Sequence, residues 1–541
     1  MVQGHSTGFN KLLNLFVAIG SISYGYSTAV ISFTIGQPGW YEFMNLVQDQ
    51  TAPGYSHTTQ VIATVNGLYS AGGAVGALSV MFFGDRLGRK KSISVGAAFA
   101  ILGGALQSGA ANLNMFYAGR FLAGLGIGIL VVLIPMYLSE ASAPEVRGWQ
   151  VGAHAMLLVF GYTSAGWIGY GCYWATSHNP SFAWRFPLAV QVLFPLLLLS
   201  GIPFVPESPR WQLAQGGEEN LKKAWRTIQR LHGTGDDFVK NEIFQMSQQI
   251  ELEKRKRAES GNHILLAAFK KKSYRKRMFV GFITQFGAEI AGPLIINNYQ
   301  VLLYENLGQT GGMPLLLAAV WLTTACLIYN PLGSYLHDKV NSRRGMYMTG
   351  IAGCMITTSV LAGLTAQYAN TSNKVGNGFA ILFLYLYLAM QGTCCDTTMY
   401  LYVSEIFPYE LRTVGMGFSL FGQFAATLIV LQTAPIGFQN VGWKFYLLII
   451  CWCAFYLPLI YFTFPETARL TLEEVGEKFG DDLAWRMPTE DDINSRDMLY
   501  EFLESHRLQN SEQSDDPSQE PKEVHSNHSL KDVHDHVEES I

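Results

Sequence analysis

The stretch Tyr402–Arg412 reads YVSEIFPYELR and directly follows a long apolar run. An earlier copy of its pattern lies 265 residues upstream, where five side chains match in type and in spacing. The matching pairs are Tyr137 and Tyr402, Ser139 and Ser404, Glu140 and Glu405, Glu145 and Glu410, and Arg147 and Arg412. A match of this kind indicates a duplicated architecture.

Two further matches follow in the same order along the chain. Asp85–Lys90 (DRLGRK) matches Asp338–Arg344 (DKVNSRR), which has one extra residue. Pro206–Arg210 (PESPR) matches Pro465–Arg469 (PETAR), and the spacing from the first proline to the arginine is the same. Three ordered matches at nearly one offset predict that the chain consists of two related halves.

Composition indicates which kind of halves these are. Of the 541 residues, 49% are hydrophobic and only 14% are charged, which is unusual for a soluble protein. The segment Phe445–Phe464 has no charged residue, and its length at about 1.5 Å per residue suffices to cross a bilayer core of roughly 30 Å. The sequence therefore predicts a membrane protein embedded in the lipid bilayer, and it indicates no nucleic-acid partner.

Apolar windows predict twelve transmembrane helices, six in each half, which we number as spans one to twelve. Spans one to six are predicted near Leu12–Gly36, Gln60–Gly84, Ser92–Ala111, Met115–Leu138, Gly148–Trp174 and Phe186–Val205. Spans seven to twelve are predicted near Met278–Leu303, Pro314–Leu336, Met346–Tyr368, Phe379–Val403, Leu411–Ala434 and Phe445–Phe464. The expected fold class is an all-α membrane protein.

The distribution of lysine and arginine predicts the orientation. The connections after spans one, three and seven carry neither residue, whereas those after spans two, six and eight are basic. Basic loops remain on the cytoplasmic side, so both termini are expected in the cytoplasm, with the plasma membrane as the expected location. The first residues lack the apolar core and cleavage site of a secretory leader, so we expect span one to be retained.

The domain division follows from the spans. It comprises an N-terminal segment (1–11), a six-helix bundle (12–205), a linker (206–274), a second bundle (275–464) and a tail (465–541). Apolar residues at helical spacing in the linker predict short amphipathic helices beneath the bundles, although a solvated basic linker is an alternative. The polar, acidic end of the tail is typical of disorder. Asn370 begins a glycosylation sequon in a predicted outer loop.

Cysteines and histidines give no metal signature. The seven cysteines are odd in number and mostly intramembrane, so no disulfide framework is expected. No histidine or cysteine at zinc-binding spacing accompanies Cys394, Cys395, Cys451 and Cys453, which we interpret as small apolar filler. Neither a metal nor a cofactor is expected.

Six motifs together resemble the sugar porter family of the major facilitator superfamily, in its fungal form. They are GDRLGRKK, the GRF that begins at Gly119, PMYLSE, PESPR, SEIFPYELR and PETARLTLEE, and the resemblance extends from about residue 12 to residue 475. The resemblance implies a major facilitator fold of two pseudo-symmetric six-helix bundles, with a substrate site between them near the membrane midplane. It implies transport by alternating access, as a monomer, of a sugar or a related polyhydroxylated small molecule.

The repeated acids and bases fall at predicted cytoplasmic helix ends. Because acids accompany bases in both halves, we interpret them as an inner gate whose ion pairs between bundles break on opening, rather than as headgroup anchors. The gate residues are Asp85, Arg86, Arg89, Glu140, Arg147, Glu207, Arg210, Asp338, Arg343, Glu405, Arg412 and Glu466.

The predicted substrate site departs from the family pattern. Coupled sugar porters carry an aspartate after Gly-Tyr in span one, but Ser27 stands there, and a hydroxyl does not titrate near neutral pH. In span seven, Glu289 takes the place of a usual glutamine and Asn298 that of a usual tyrosine. The candidate substrate-binding residues are Glu289, Asn298, Tyr299, Asp396, Tyr400, Gln423, Phe424, His154 and Tyr162.

Ionisable groups inside spans are functional candidates because inserting each one costs about 2.5 to 3.5 kcal/mol. Glu289, Asp396 and Arg120 are the candidates for proton coupling. Two mechanisms stay open at this point: a facilitator in which Glu289 accepts hydrogen bonds from substrate hydroxyls, and a symporter in which Glu289 or Asp396 carries a proton. A nutrient sensor that signals through its tail is the alternative function, and nothing in the sequence indicates an enzyme.

Overall fold

The computed structural model describes residues 8–49, 52–141, 147–232, 270–340, 342–369, 371, 373–468, 470 and 472–480, together with positions 239, 243, 246, 247 and 250. Within these ranges, side chains are described except those of 147–153, 232, 338, 409, 410, 472 and 473. All of these residues belong to one compact unit, Met1–Asp482. Asn370 and the tail beyond 480 lie outside the described residues.

Each of spans one to six consists of one helix or of two consecutive helices. They are Gly8–Val17 with Ile19–Ile35, Tyr55–Leu87, Arg89–Ser108, Leu113–Ala141, Arg147–Tyr173, and Pro180–Val190 with Leu193–Gly201. Shorter helices lie at Pro38–Phe43, Ile202–Phe204, Pro209–Gln215 and Glu218–His232.

Spans seven to twelve repeat this arrangement in the second half. They are Lys272–Ile290 with Pro293–Asn306, Met313–Thr324 to Asn330–Lys339, Arg343–Tyr368, Lys374–Met390 to Thr397–Ile406, Tyr409–Val441, and Tyr446–Thr463. Shorter helices lie at Gly442–Phe445 and Leu472–Phe479.

Nine helical segments of the described chain are both long enough and apolar enough to cross a membrane. One of these segments, Leu411–Thr463, contains spans eleven and twelve, and the helices of spans three and five are not among the nine. The described helices therefore form twelve spans, and no strand occurs among the described residues. The predicted all-α membrane fold is confirmed.

Local sequence signals set several helix starts. Asn179 Oδ1 accepts a hydrogen bond from the backbone N–H of Phe182, and Pro180 follows at the first helical position of span six. The Ser342 hydroxyl accepts one from Gly345 N–H at the start of span nine. Such caps satisfy backbone donors that have no partner within the helix.

Three spans of the second half are interrupted near their middles. Span seven breaks at Gly292, whose φ of 106° suits glycine because a side chain would clash with the backbone there. Spans eight and ten contain π-helical turns at Ala325–Tyr329 and Gln391–Asp396. Breaks and π turns redirect side chains locally and often occur at functional sites.

Glycines allow spans two and four to pack closely. A Cβ at Gly72 would fall on the carbonyl oxygen of Phe121, and a Cβ at Gly124 on that of Tyr69. The two backbones are therefore in direct contact, which is the small-residue packing common between membrane helices.

The linker contains the amphipathic helix Glu218–His232. Its Ile228 and Leu231 side chains are fully buried, whereas Lys222 and Lys223 face solvent. The Arg230 guanidinium lies 4.1 Å from the centroid of the Phe9 ring, so the helix packs against the start of span one.

Candidate functional site

An ion-pair cluster lies at the end of the first bundle that carries the repeated motifs, which we call the motif end. Arg89 Nη2 is 2.9 Å from Glu140 Oε1, and Arg89 Nη1 is 2.7 Å from Asp85 Oδ1. Glu207 accepts hydrogen bonds from the backbone N–H groups of Arg89 and Lys90, so it caps the start of span three. A carboxylate at this position also compensates the positive end of the helix dipole.

The second bundle repeats this cluster. Arg343 Nη2 is 3.6 Å from Glu405 Oε1, and Glu466 accepts from the backbone N–H groups of Arg343 and Arg344 at the start of span nine. Span nine thus receives the same kind of cap as span three. The duplication read from the sequence is therefore also a duplication of contacts.

A tyrosine and a proline reinforce each copy of the cluster. The Tyr137 hydroxyl donates to Pro206 O at 2.9 Å, and the Tyr402 hydroxyl donates to Pro465 O at the same distance. These two bonds link the YxSE motif to the PES or PET motif within each half.

Two capping acids differ in their surroundings. Burial raises the pKa of Glu207 in spite of the backbone N–H groups that it accepts from. At Glu466 burial acts in the same direction, but the Ser342 hydroxyl and several backbone N–H groups outweigh it and lower the pKa. The Ser342 Oγ to Glu466 Oε2 distance is 2.6 Å.

The ion pairs of Arg89 with Asp85 and Glu140, and of Arg343 with Glu405, each join elements of the same half. Between the halves, the Thr413 hydroxyl of span eleven lies 3.2 Å from Asp85 Oδ1 of span two. Arg86 is exposed, and Arg210 and Arg412 are half-buried. The side chains of Arg147 and Asp338 lie outside the described ones.

A central cavity lies between the two bundles. Five of the predicted substrate residues line it: Tyr162, Glu289, Asp396, Tyr400 and Gln423. The other lining residues are Tyr24, Ala155, Leu158, Val159, Pro293, Leu294, Asn297, Trp321, Leu322, Ala325, Asn330, Tyr387, Leu388, Gln391 and Met399. Both halves thus contribute walls to one cavity.

Gln423 connects the walls of this cavity. Its Nε2 atom lies 2.9 Å from Glu289 Oε1, 3.1 Å from the Tyr400 hydroxyl and 3.2 Å from the Tyr24 hydroxyl. Tyr24 belongs to span one, whereas the other three residues belong to the second half. A single amide therefore ties the halves together at the cavity.

The two carboxylates of the cavity sit next to helix interruptions. Glu289 lies just before the break at Gly292 and is 2% exposed, and its Oε2 atom has no hydrogen-bond partner among the described residues. Asp396 ends the π turn of span ten, and its Oδ1 atom accepts a hydrogen bond from Gln391 Nε2 at 3.1 Å. Glu289 interacts electrostatically with Asp396.

His154 lies behind the cavity wall. Its Nδ1 atom is 2.6 Å from the Ser21 hydroxyl, and its ring meets that of Tyr400 edge to face at 6.0 Å between centroids. It contacts the cavity through Tyr400 and is not itself part of the lining.

Arg120 donates its hydrogen bonds to two backbone carbonyls of the first half. Its Nε donates to Val65 O at 3.2 Å and its Nη1 to Ser27 O at 3.4 Å, while its guanidinium lies 4.3 Å from the centroid of the Tyr69 ring. Backbone carbonyls thus hold the guanidinium beside the position where coupled family members carry an acid.

Three predicted substrate residues lie outside the lining of the central cavity. Asn298 Nδ2 donates to Leu294 O of its own helix. The Tyr299 hydroxyl donates to Leu431 O at 2.6 Å and accepts from Asn66 Nδ2 at 3.0 Å, so it bridges the halves. Phe424 packs edge to face against Tyr24.

Asn297 and Tyr24 are site residues that sequence reasoning missed. Glu289, Pro293 and Asn297 are spaced four residues apart, which places them along one helical face despite the break at Gly292. Counting in fours from Glu289 would have selected Asn297 in place of its neighbour. No comparable signal pointed to Tyr24, whose role depends on contact with a span almost 400 residues away.

Two related helical bundles around a cavity lined by both define a secondary transporter of the major facilitator type. The family model described as "Sugar (and other) transporter" matches residues 13–479. The chain therefore belongs to the sugar transporter family, whose members are membrane transporters and not enzymes.

Individual relatives agree with this assignment. The chain is 28% identical to the MFS-type transporter criB of Aspergillus cristatus, covering 85% of this chain and 93% of the relative. It is 26% identical to a high-affinity glucose transporter of Kluyveromyces lactis, covering 88% and 87%. The proton:xylose symporter XylE has the same fold, with a TM-score of 0.72 at 19% identity over 88% of this chain and 100% of that one. These relatives favour transport over nutrient sensing.

Proposed function

We propose that this transporter carries a small hydroxyl-rich organic molecule, of the sugar or polyol kind, and binds it in the central cavity. The observation that carries this proposal is the bonding of Gln423 to Glu289, Tyr400 and Tyr24. A substrate that competes for these groups would change contacts between the halves, which is what coupling substrate binding to alternating access requires.

The composition of the cavity suits such a substrate. Amide and acid side chains offer hydrogen bonds to hydroxyl groups, and aromatic residues such as Tyr162 and Trp321 offer apolar faces on which a sugar ring can stack. The sugar-specific names of relatives, including the glucose transporter of Kluyveromyces lactis, support the same substrate class.

Purified protein in proteoliposomes tests the proposal. Uptake of radiolabelled hexoses, pentoses and polyols is measured against empty liposomes, and each compound that enters is tested again with Gln423→Ala. We expect at least one compound to be carried and its uptake to fall in the variant. If no hydroxyl-rich compound enters while the protein is correctly inserted, the proposal is wrong.

Downhill transport is the mechanism that we propose first. Ser27 replaces the acid of coupled members, and Arg120 meets the Ser27 carbonyl there instead of a carboxylate. Glu289 then serves as a hydrogen-bond acceptor for the substrate. Proton symport is the second candidate, because the cavity contains two carboxylates that could carry the proton.

An imposed proton gradient separates these mechanisms. Under symport, an acidic outside accelerates uptake and uptake acidifies the liposome interior. A facilitator shows neither effect, and its uptake stops when concentrations become equal on both sides.

Further features remain part of this proposal. We place the motif end and both termini in the cytoplasm, on the basis of the lysine and arginine bias, and the protein in the plasma membrane as a monomer surrounded by lipid. The motif clusters act as the inner gate in this scheme. Asn370 is the proposed glycosylation site, and a mass shift on glycosidase treatment that is lost in Asn370→Gln would support the orientation.

A further inference from the structure

We propose that the substrate of the central cavity carries a positively charged amino group, as an amino sugar or an amino polyol does. This inference rests on the proposed function and specifies its substrate. It starts from the charges at the site, where Glu289 and Asp396 line the cavity and none of the described lining residues is lysine, arginine or histidine.

Nearby bases do not neutralise these acids in the described structure. Arg120 is held by the carbonyl oxygens of Val65 and Ser27, and His154 is bonded to Ser21 behind Tyr400. Burial disfavours the ionised form of a carboxyl group unless a counter-charge is supplied, because it removes the hydration of the charge. A cationic substrate supplies that counter-charge when it binds.

The hydrogen-bonding groups of the cavity also favour a substrate with an amino group. Glu289 Oε1 already accepts from Gln423, whereas Glu289 Oε2 is buried and has no partner among the described residues. The Gln423 amide nitrogen, a donor that a substrate oxygen would need, is taken up by Glu289 and two tyrosine hydroxyls. The unpartnered buried atoms of the described lining are Glu289 Oε2 and Asn330 Oδ1, both of them acceptors. At the Glu289 carboxyl, an ammonium group gains a charge-assisted hydrogen bond that a neutral hydroxyl cannot provide.

Aromatic rings complete a site for a cation. Tyr387 directs its hydroxyl to Ala291 O at 2.9 Å, and Trp321 directs its indole N–H to Leu384 O at 3.3 Å. Since these polar atoms bond to backbone, the two residues offer the cavity chiefly their rings. Aromatic faces attract ammonium groups, and more strongly where water is excluded. An anionic sugar acid would meet repulsion instead.

The test compares matched substrates in proteoliposomes at about pH 7, where a primary amine is largely protonated and the acid is less favoured in its neutral form than at lower pH. D-Glucosamine is compared with D-glucose and with neutral N-acetylglucosamine, and choline is added as a cation without a sugar skeleton. We expect glucosamine uptake to exceed glucose uptake at least tenfold. An inside-negative membrane potential should increase it, and a proton gradient at fixed potential should not.

Two variants connect this preference to the proposed acid. Glu289→Gln should abolish the tenfold preference for glucosamine, whereas Glu305→Gln should keep it, because Glu305 lies in the same span but does not line the cavity. Should Glu289→Gln fail to fold, the wild-type protein still decides the matter. Glucosamine should raise its melting temperature in detergent, and glucose at the same concentration should not.

The outcomes distinguish this inference from the function on which it rests. Equal uptake of glucose and glucosamine, or a preference that survives in Glu289→Gln, overturns the amino-group inference and leaves the proposed function standing. Uptake of choline without any hydroxyl-rich compound overturns the proposed function itself, and the inference with it.

Discussion

Arg89 and Glu140 form a two-point ion pair, in which Nη2 lies 2.9 Å from Oε1 and Nε lies 3.1 Å from Oε2. Both side chains are almost fully buried, at 4% and 2% exposure. The pair joins the start of span three to the end of span four.

We expect Glu140→Gln to destabilise the protein by about 1 to 3 kcal/mol, because it removes the buried carboxylate and leaves the guanidinium with the exposed Asp85. The measurement is the unfolding midpoint of the purified protein in detergent. The control is Glu218→Gln, which breaks the solvent-exposed pair with Lys222 and should leave the midpoint unchanged. Equal midpoints for the two variants would contradict the structural role of the buried pair.

Gln423→Ala should reduce transport at least tenfold while the protein remains folded. The change removes the amide donor that Glu289, Tyr400 and Tyr24 share. The hydrogen bond between Gln423 and Tyr24, which connects the two halves at the cavity, is lost with it. Initial uptake rates, normalised to the amount of inserted protein, test this. Thr433→Val is the matched control on the same span, since Thr433 is exposed and bonds only within its own helix. A normal rate in Gln423→Ala would remove the basis for the proposed coupling.

Tyr299→Phe should weaken the contact between the halves away from the motif end. It deletes a hydroxyl that donates to Leu431 O and accepts from Asn66, and leaving two buried groups unsatisfied costs about 1 to 3 kcal/mol. We expect a lower melting temperature than in the wild type. In Tyr304→Phe, on the same span, the lost hydroxyl has no hydrogen-bond partner among the described residues, so no loss is expected. The prediction is wrong if both variants lose stability alike.

Gly124→Ala should force spans two and four apart, because the added methyl group would fall on the carbonyl oxygen of Tyr69. Overpacking of this kind typically costs about 1 to 3 kcal/mol. Gly363→Ala, near the C-terminal end of span nine, has no atom near the new methyl group and should leave the protein intact. Thermal unfolding of both variants in one detergent provides the comparison.

Central parts of the site were visible in the sequence because intramembrane charge is rare. Glu289 and Asp396 stand out in apolar spans, and both line the cavity. Asn298 and Tyr299 were selected by alignment with a family pattern. In the structure, Asn298 bonds to Leu294 O of its own helix, and Tyr299 bonds to Asn66 of the second span. The rotation of span seven about its axis decides this, and packing against other spans sets that rotation.

The sequence by itself determined the duplication, the apolar spans and the family, because repeated motifs and hydrophobic length are properties of a linear chain. Only the tertiary structure decided that Gln423 joins Tyr24 to Glu289, and that Arg89 pairs with Glu140 of its own half. Such contacts join residues far apart in the chain, and their geometry depends on how helices tilt, break and rotate when they pack.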